Sequence, residues 1–312
     1  MRYTRYKSTR LIAFLVVIVV ATFGCGGRVN LSNLTADQLF QHGKEKYQKK
    51  KYIRAIEAFQ AVVYNYPGAT LVDTAQYYLA LSYFGQKDYI LAGAEFNRLA
   101  NNYPASTYFE HALFMRAVCF FEGTPHHYGL DQTDLETAIR QFEDFLIDYP
   151  ESELLPDAQK YLLEARSRKA KKFYSNGVVY EHMGAYNAAE AYFQKVIDDY
   201  TDTEFGPRAT FMRAEMLFKS RKYDKARGRF ADFITVFPVH EWVPKAIQRR
   251  EESTFKAGEA AARSGDTARA LELFELFINE YPQSKRFDKA NERLGELRQP
   301  AAASGGSEDA DS

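Results

Sequence analysis

AKKFYSNGVVYEHMGAYNAAEAYFQKVIDDYT, Ala170 to Thr201, is the stretch whose reading decides the fold. Its small and large residues recur on a helical rather than a strand period: Gly177, Tyr180 and Gly184, then Tyr186, Ala189 and Phe193. Gly177 is small where a first helix would meet a second, and Tyr180 fills the same face. Gly184 stands in the turn between the two. Ala189 admits the close approach of the second helix, and Phe193, one turn on, plugs the gap. The stretch therefore predicts two antiparallel helices in a unit of about 34 residues.

The same pattern recurs on both sides. Ala36 to Pro67 carries Gly43, Tyr52, Ala55 and Phe59, and Asp73 to Pro104 carries Ala80, Tyr83, Tyr89, Ala92 and Phe96. A third unit starts near Tyr108, with Ala117 and Phe120 in its first helix and Ala138 and Phe142 in its second. The step between those helices is longer, and the extra residues fall in GTPHHYGLDQTD, Gly123 to Asp134. Pro156 to Lys172 has helical spacing of Ala158, Tyr161, Leu162 and Ala165, which predicts one long helix running into the fourth unit. Pro207 to Pro238 repeats the pattern with Ala214, Tyr223, Ala226 and Phe230. A linker with Trp242 leads to a sixth copy, Ser253 to Pro282, with Gly258, Gly265, Ala270 and Phe274. Ser284 to Arg298 reads as a capping helix.

Second helices end in Tyr66-Pro67, Tyr103-Pro104, Tyr149-Pro150, Phe237-Pro238 and Tyr281-Pro282, whereas the fourth unit has Tyr200-Thr201. Proline stops a helix and pushes the preceding residue to extended backbone, so it sets the turn into the next unit. The arrangement is similar to the tetratricopeptide repeat. It predicts an all-α fold, a right-handed superhelical solenoid of about six repeats. The expected organisation is a lipoprotein signal peptide over 1–24, a lipidated tether over 25–34, repeats one to three over 35–150, repeats four to six with the cap over 151–298, and a disordered acidic tail over 299–312. Thr35 reads as the N-cap of the first helix.

The N-terminus speaks to compartment. Arg2, Arg5, Lys7 and Arg10 precede LIAFLVVIVVATF, Leu11 to Phe23, an apolar run too short to span a bilayer but suited to a signal peptide. Gly24-Cys25-Gly26-Gly27 follows and resembles a bacterial lipobox, with Thr22 and Phe23 departing from its preferred residues. By that resemblance Cys25 carries the covalent lipid, and Gly26 after it directs the protein to the outer membrane, facing the periplasm. With Cys25 committed to lipid, Cys119 in an apolar helical stretch is left as a buried structural thiol.

Lys+Arg and Asp+Glu both number 41, so the formal net charge is zero and bulk nucleic-acid binding is disfavoured. No Gly-rich phosphate loop, nucleophile elbow or zinc-protease motif occurs. His126-His127 lack a spaced third ligand, so no metal is expected. Nothing points to an enzyme, a small-molecule substrate or a cofactor other than the lipid. The chemistry on offer is binding. First helices of such repeats line a concave face, and register places Phe40, Tyr47, Tyr77, Phe84, Phe114 and Phe121 there in the N-terminal half. These aromatics either pack between repeats or form a groove for an extended peptide. Arg208, Glu215, Lys219, Glu259 and Arg263 occupy the equivalent C-terminal positions. They form either a solvated surface or a docking face for a protein, where ionic contacts set specificity.

Three features together are more specific than the fold: the lipobox, the tyrosine–proline repeat ends, and the third-repeat run FMRAVCFFEG followed by Gly129-Leu130-Asp131-Gln132-Thr133 and AIRQFEDFLIDYPES. They resemble the BamD family, lipoprotein subunits of the outer-membrane β-barrel assembly machinery, over roughly residues 25–240. Leu130 stands where that family has arginine, and the sixth repeat extends beyond its usual five. The resemblance implies a scaffold that docks on the periplasmic domains of a BamA-like barrel protein and helps receive unfolded barrel precursors. The alternative is another periplasmic repeat lipoprotein, a cell-division or envelope-coordination adaptor or a secretin pilot.

Overall fold

The computed structural model describes residues 30–299, which form thirteen α-helices and one short 3-10 turn, Leu31–Asn33, with no strand among the described residues. The helices are α1 (Ala36–Gln48), α2 (Tyr52–Asn65), α3 (Val72–Gly85), α4 (Tyr89–Asn102), α5 (Phe109–Gly123), α6 (Thr133–Asp148), α7 (Leu155–His182), α8 (Tyr186–Asp199), α9 (Phe205–Lys219), α10 (Tyr223–Val236), α11 (Val243–Arg263), α12 (Thr267–Glu280) and α13 (Phe287–Arg298). Consecutive helices pair as six helix-turn-helix units followed by the single α13. The chain forms two compact units, one up to Arg116 and one from Ala117. In the first, Leu39, Phe40, Phe59, Val62 and Leu79 are the centre of the core. In the second, three clusters follow one another, around Phe193 and Phe205, around Phe211 and Phe230, and around Phe255 and Phe274.

In three of the pairs a glycine on one helix faces a phenylalanine on the other. A Cβ on Gly43 would lie 2.7 Å from the Phe59 ring, one on Gly177 2.7 Å from Phe193, and one on Gly258 3.0 Å from Phe274. The helices therefore touch at a point where only hydrogen fits opposite the ring. In the other pairs alanine takes the small position (Ala80, Ala117 and Ala214), and Phe96, Phe142 and Phe230 are likewise fully buried. Ala189 is also fully buried, on the facing helix of the Gly177 pair. Ala189→Trp is expected to overpack that contact and cost about 1–3 kcal/mol or more. An unchanged melting temperature would refute the helix register.

The helix ends follow local chemistry. Thr35 caps α1 in a reciprocal capping box with Gln38, and Asp88 and Asp266 cap α4 and α12 through their carboxylates. Tyr66, Tyr103, Tyr149, Phe237 and Tyr281 each leave the helical region just after their helix, with φ between −123° and −133° and ψ between 54° and 60°, short of the fully extended backbone expected before proline. Tyr200 takes a similar φ of −138° without a proline. There Arg166 of α7 does the holding. Its guanidinium donates two 2.8 Å hydrogen bonds to Asp202 and one of 2.7 Å to the Asp199 carbonyl, and lies 5.4 Å from the centre of the Tyr200 ring.

Five of the six intra-pair turns pass through the left-handed region: Gly184 and Gly265, as their residue type anticipates, but also Lys50, Lys87 and Arg221, with φ between 55° and 65°. A Cβ is disfavoured there. Arg221→Gly is expected to stabilise the fold by about 0.5–1 kcal/mol, less than the steric relief because glycine loses more entropy on folding. Denaturant titration checks it, and a lowered midpoint would overturn it.

The long helix expected before the fourth unit is α7, 28 residues from Leu155 to His182. The linker expected around Trp242 is not one. α11 starts at Val243 and runs 21 residues to Arg263, giving the sixth unit a second extended first helix. Trp242 sits at its N-cap with its ring 5.1 Å from Phe211, so the indole stitches the fifth unit to this helix. The inserted loop is shorter than its sequence suggests, because Gly123 ends α5 and Thr133 begins α6.

Candidate binding faces

The aromatic positions divide by burial. In the first unit Phe40 is 8% exposed and lies 5.8 Å from Phe59, and Phe114 is 6% exposed. In the second unit Phe121 is 1% exposed, edge-on to Tyr161, with the Arg168 guanidinium 3.8 Å from its ring centre. These three are packing residues. Tyr47, Tyr77 and Phe84 are partly exposed. Tyr47 sits edge-on to Tyr52 and Tyr78, Tyr77 stacks on Tyr108 at 4.4 Å, and Phe84 meets Tyr89 edge-on at 5.3 Å. Burial pushes the Tyr77 phenol up to about 12, so it remains protonated at neutral pH. Tyr78 is the residue that register alone missed. Its ring touches those of Phe40, Tyr47, Phe59 and Tyr77, and Lys44 Nζ lies 5.9 Å from its centre. A run of adjacent tyrosines, Tyr77-Tyr78, was the available signal.

Three of the five charged positions are tied into inter-helix ion pairs. Lys219 of α9 meets Glu181 of α7 at 2.6 Å. Glu215, only 5% exposed, receives Arg249 of α11 at 2.7 Å, and Arg249 also reaches Glu252, which Lys256 meets at 2.9 Å. Glu259 of α11 pairs with Lys289 of α13 at 3.0 Å. Arg208 pairs at 3.6 Å with Glu204, the N-cap residue of its own helix, and exposed Arg263 donates to the carbonyl of Glu259. Of the five residues, Glu215, Lys219 and Glu259 thus join neighbouring helices, whereas Arg208 and Arg263 meet no carboxylate from another helix among the described residues. Arg249 and Glu252 were invisible to a reading that took their segment for a linker's edge.

The inserted loop, 124–132, closes on itself. Buried Gln132 donates to the Pro125 carbonyl at 3.0 Å, and buried Thr124 donates to the Phe120 carbonyl at 2.8 Å. Asp131 accepts from the Thr133 hydroxyl and amide, and that hydroxyl holds its carboxyl below the ordinary value. Leu130 is 56% exposed. His127 accepts from the Gly129 amide at 3.1 Å, and no group of three His, Cys, Asp or Glu among the described residues is placed to hold a metal ion. Cys119 is buried, and burial pushes its thiol up to about 12, so the nucleophilic thiolate is negligible at neutral pH. Cys25 lies outside the described residues. No helix among the described residues is long and apolar enough to cross a membrane.

The family model YfiO, described as "Outer membrane lipoprotein", matches residues 32–216 and 169–304. A relative from Rickettsia prowazekii, named "Outer membrane protein assembly factor BamD", is 25% identical over 246 residues, covering 78% of this chain and 97% of its own. Among solved structures, the yeast Sti1 TPR2AB domain is 15% identical, with a TM-score of 0.38, covering 85% of this chain and 98% of its own. A TPR repeats protein from Bacteroides fragilis is 11% identical, with a TM-score of 0.36, covering 84% of this chain and 99% of its own.

Proposed function

This chain belongs to the YfiO family of outer membrane lipoproteins, and from that premise we propose that it is a lipid-anchored scaffold for the assembly of outer-membrane β-barrel proteins, working from the periplasmic side. The observation that carries this reading is the family match along nearly all described residues, joined to a relative whose name is that of a barrel-assembly factor. The structure is in keeping with a binder: rings and ion pairs on helical pairs, and an inert buried thiol.

Two surfaces divide the work in this proposal. In the first unit the partly exposed rings of Tyr47, Tyr77 and Phe84 receive an extended, aromatic-bearing segment of an unfolded barrel precursor. Their rigid rings give contact area at little entropic cost, and the Tyr77 hydroxyl stays a donor. In the second unit Arg208 and Arg263 are first-helix cations that can meet carboxylates of a BamA-like barrel protein without breaking an inter-helix pair. Glu215, Lys219 and Glu259 hold the helices that present them. Cys25 supplies the membrane attachment through its covalent lipid.

The test is a pull-down of the tagged protein from membranes in mild detergent, with co-purifying proteins identified by mass. Recovery of a large β-barrel protein with periplasmic repeat domains, weakened by Arg208→Glu with Arg263→Glu, is the expected result. Recovery of division or secretion proteins without that barrel would overturn the assembly role.

A further inference from the structure

The turns of the first two helix pairs lie side by side at one edge of the first unit. A Cβ on Gly85, at the end of α3, would fall 2.5 Å from the Tyr52 ring at the start of α2, and Lys50, Lys51, Ile53, Arg54 and Gln86 line one shallow cleft. This edge is cationic. Lys46, Lys49, Lys50, Lys51, Arg54 and Lys87 gather there against Glu45, Glu57 and Asp88. Lys49 and Arg54 are engaged by Glu45 and Glu57, whereas Lys50, Lys51 and Lys87 enter no ion pair among the described residues. Lys50 and Lys87 are held in the left-handed turn conformation on successive pairs.

The same edge is apolar where a surface should be polar. Ile53 is 62% exposed, Ile90 85% and Leu91 43%. Ile53 and Ile90 occupy the same register, each following the tyrosine that opens the second helix of its pair. Counting back from the keystone phenylalanine, the corresponding residues in the later pairs are Glu136, Asn187, Asp224 and Ala268. An exposed isoleucine beside a turn lysine is therefore confined to the first two pairs, so neither helix chemistry nor the repeat itself demands it.

We propose that this edge, Lys50, Lys51 and Lys87 around Ile53 and Ile90, is a second membrane contact that seats on an anionic phospholipid surface. Lysines without a carboxylate partner suit phosphate headgroups, and each contributes about fivefold to partitioning onto a strongly anionic surface. Isoleucines projecting between them suit the boundary of headgroup and acyl chain. Position agrees. Residues 25–30, fully extended, reach about 20 Å, the length of α1, so a lipid on Cys25 leaves this edge within reach of the same leaflet. An anchor with a second contact fixes orientation, which one flexible tether does not.

The test uses the full chain. Trp242 is the only tryptophan, so Trp242→Phe removes native tryptophan emission, and Ile53→Trp or Ile90→Trp places a reporter on the edge. Asn187→Trp, at the equivalent register of the fourth pair, is the control. Emission is read on vesicles of phosphatidylethanolamine and phosphatidylglycerol with brominated acyl chains, and on brominated phosphatidylcholine vesicles. The expected result is at least about twofold quenching of the Ile53 and Ile90 reporters on the anionic vesicles, absent from the Asn187 reporter. Lys50→Glu, Lys51→Glu and Lys87→Glu together should abolish it with the melting temperature unchanged. Edge reporters quenched no more than the control would overturn the proposal, as would quenching that survives the charge reversal. An edge that instead binds an acidic protein gives the unquenched outcome. Neither result bears on the pull-down, which tests the assembly role separately.

Discussion

Phe193→Ala is expected to destabilise the protein by about 3–5 kcal/mol, toward the upper end of aromatic-to-alanine changes. The ring is fully buried, and Gly177 opposite it has no side chain to relax into the vacated volume. The hole stays open and its lining loses dispersion contacts. The cost also spreads along the chain. Phe193 shares its cluster with Ala170, Phe205 and Ala209, so α7, α8 and α9 lose a common partner. In a repeat protein, stability is nearly a sum of units and nearest-neighbour interfaces, so weakening one pair and its interface invites local unfolding there. Urea titration followed by circular dichroism should show an early partial transition or a midpoint lowered in proportion. Phe193→Leu should recover part of the loss. A change below about 1 kcal/mol for Phe193→Ala would remove this ring from its keystone role.

Cys25→Ser is expected to abolish the outer-membrane fractionation of the protein. A serine hydroxyl cannot take a thioether-linked lipid, and two or more acyl chains, at about 0.8 kcal/mol per buried methylene, are what would make the proposed attachment stable. The variant should be found in the soluble or inner-membrane fraction. Any residual adsorption through the edge around Ile53 and Ile90 should wash off with salt, because headgroup attraction is screened within a Debye length. Fractionation with the outer membrane as before, resistant to salt, would mean that Cys25 is not the anchor.

The amino-acid sequence by itself determined the architecture. Small residues at Gly43, Gly177 and Gly258, phenylalanines at 59, 193 and 274, and five aromatic–proline helix ends are local rules that recur along the chain, each readable without its neighbours. Family likeness was legible for a similar reason, since the repeat ends and the third-repeat run are contiguous motifs. Where local rules have substitutes, reading along the chain fell short. Lys50, Lys87 and Arg221 fill left-handed turns that glycine would have advertised, and Arg166 does for Tyr200 what proline does elsewhere. α11 begins ten residues early because Trp242 finds Phe211, a contact between residues far apart in sequence. Tertiary structure alone decided which predicted binding residues remain available. Register places Phe40 and Tyr47 on one helix face, but only the packing of α2 and α3 buries the first and leaves the second partly open. Likewise Glu215 and Lys219 read as free charges until α7 and α11 bring Glu181 and Arg249 within hydrogen-bonding distance. Burial and pairing depend on what lies opposite, and that is set by the stacking of helices rather than by the order of residues within one.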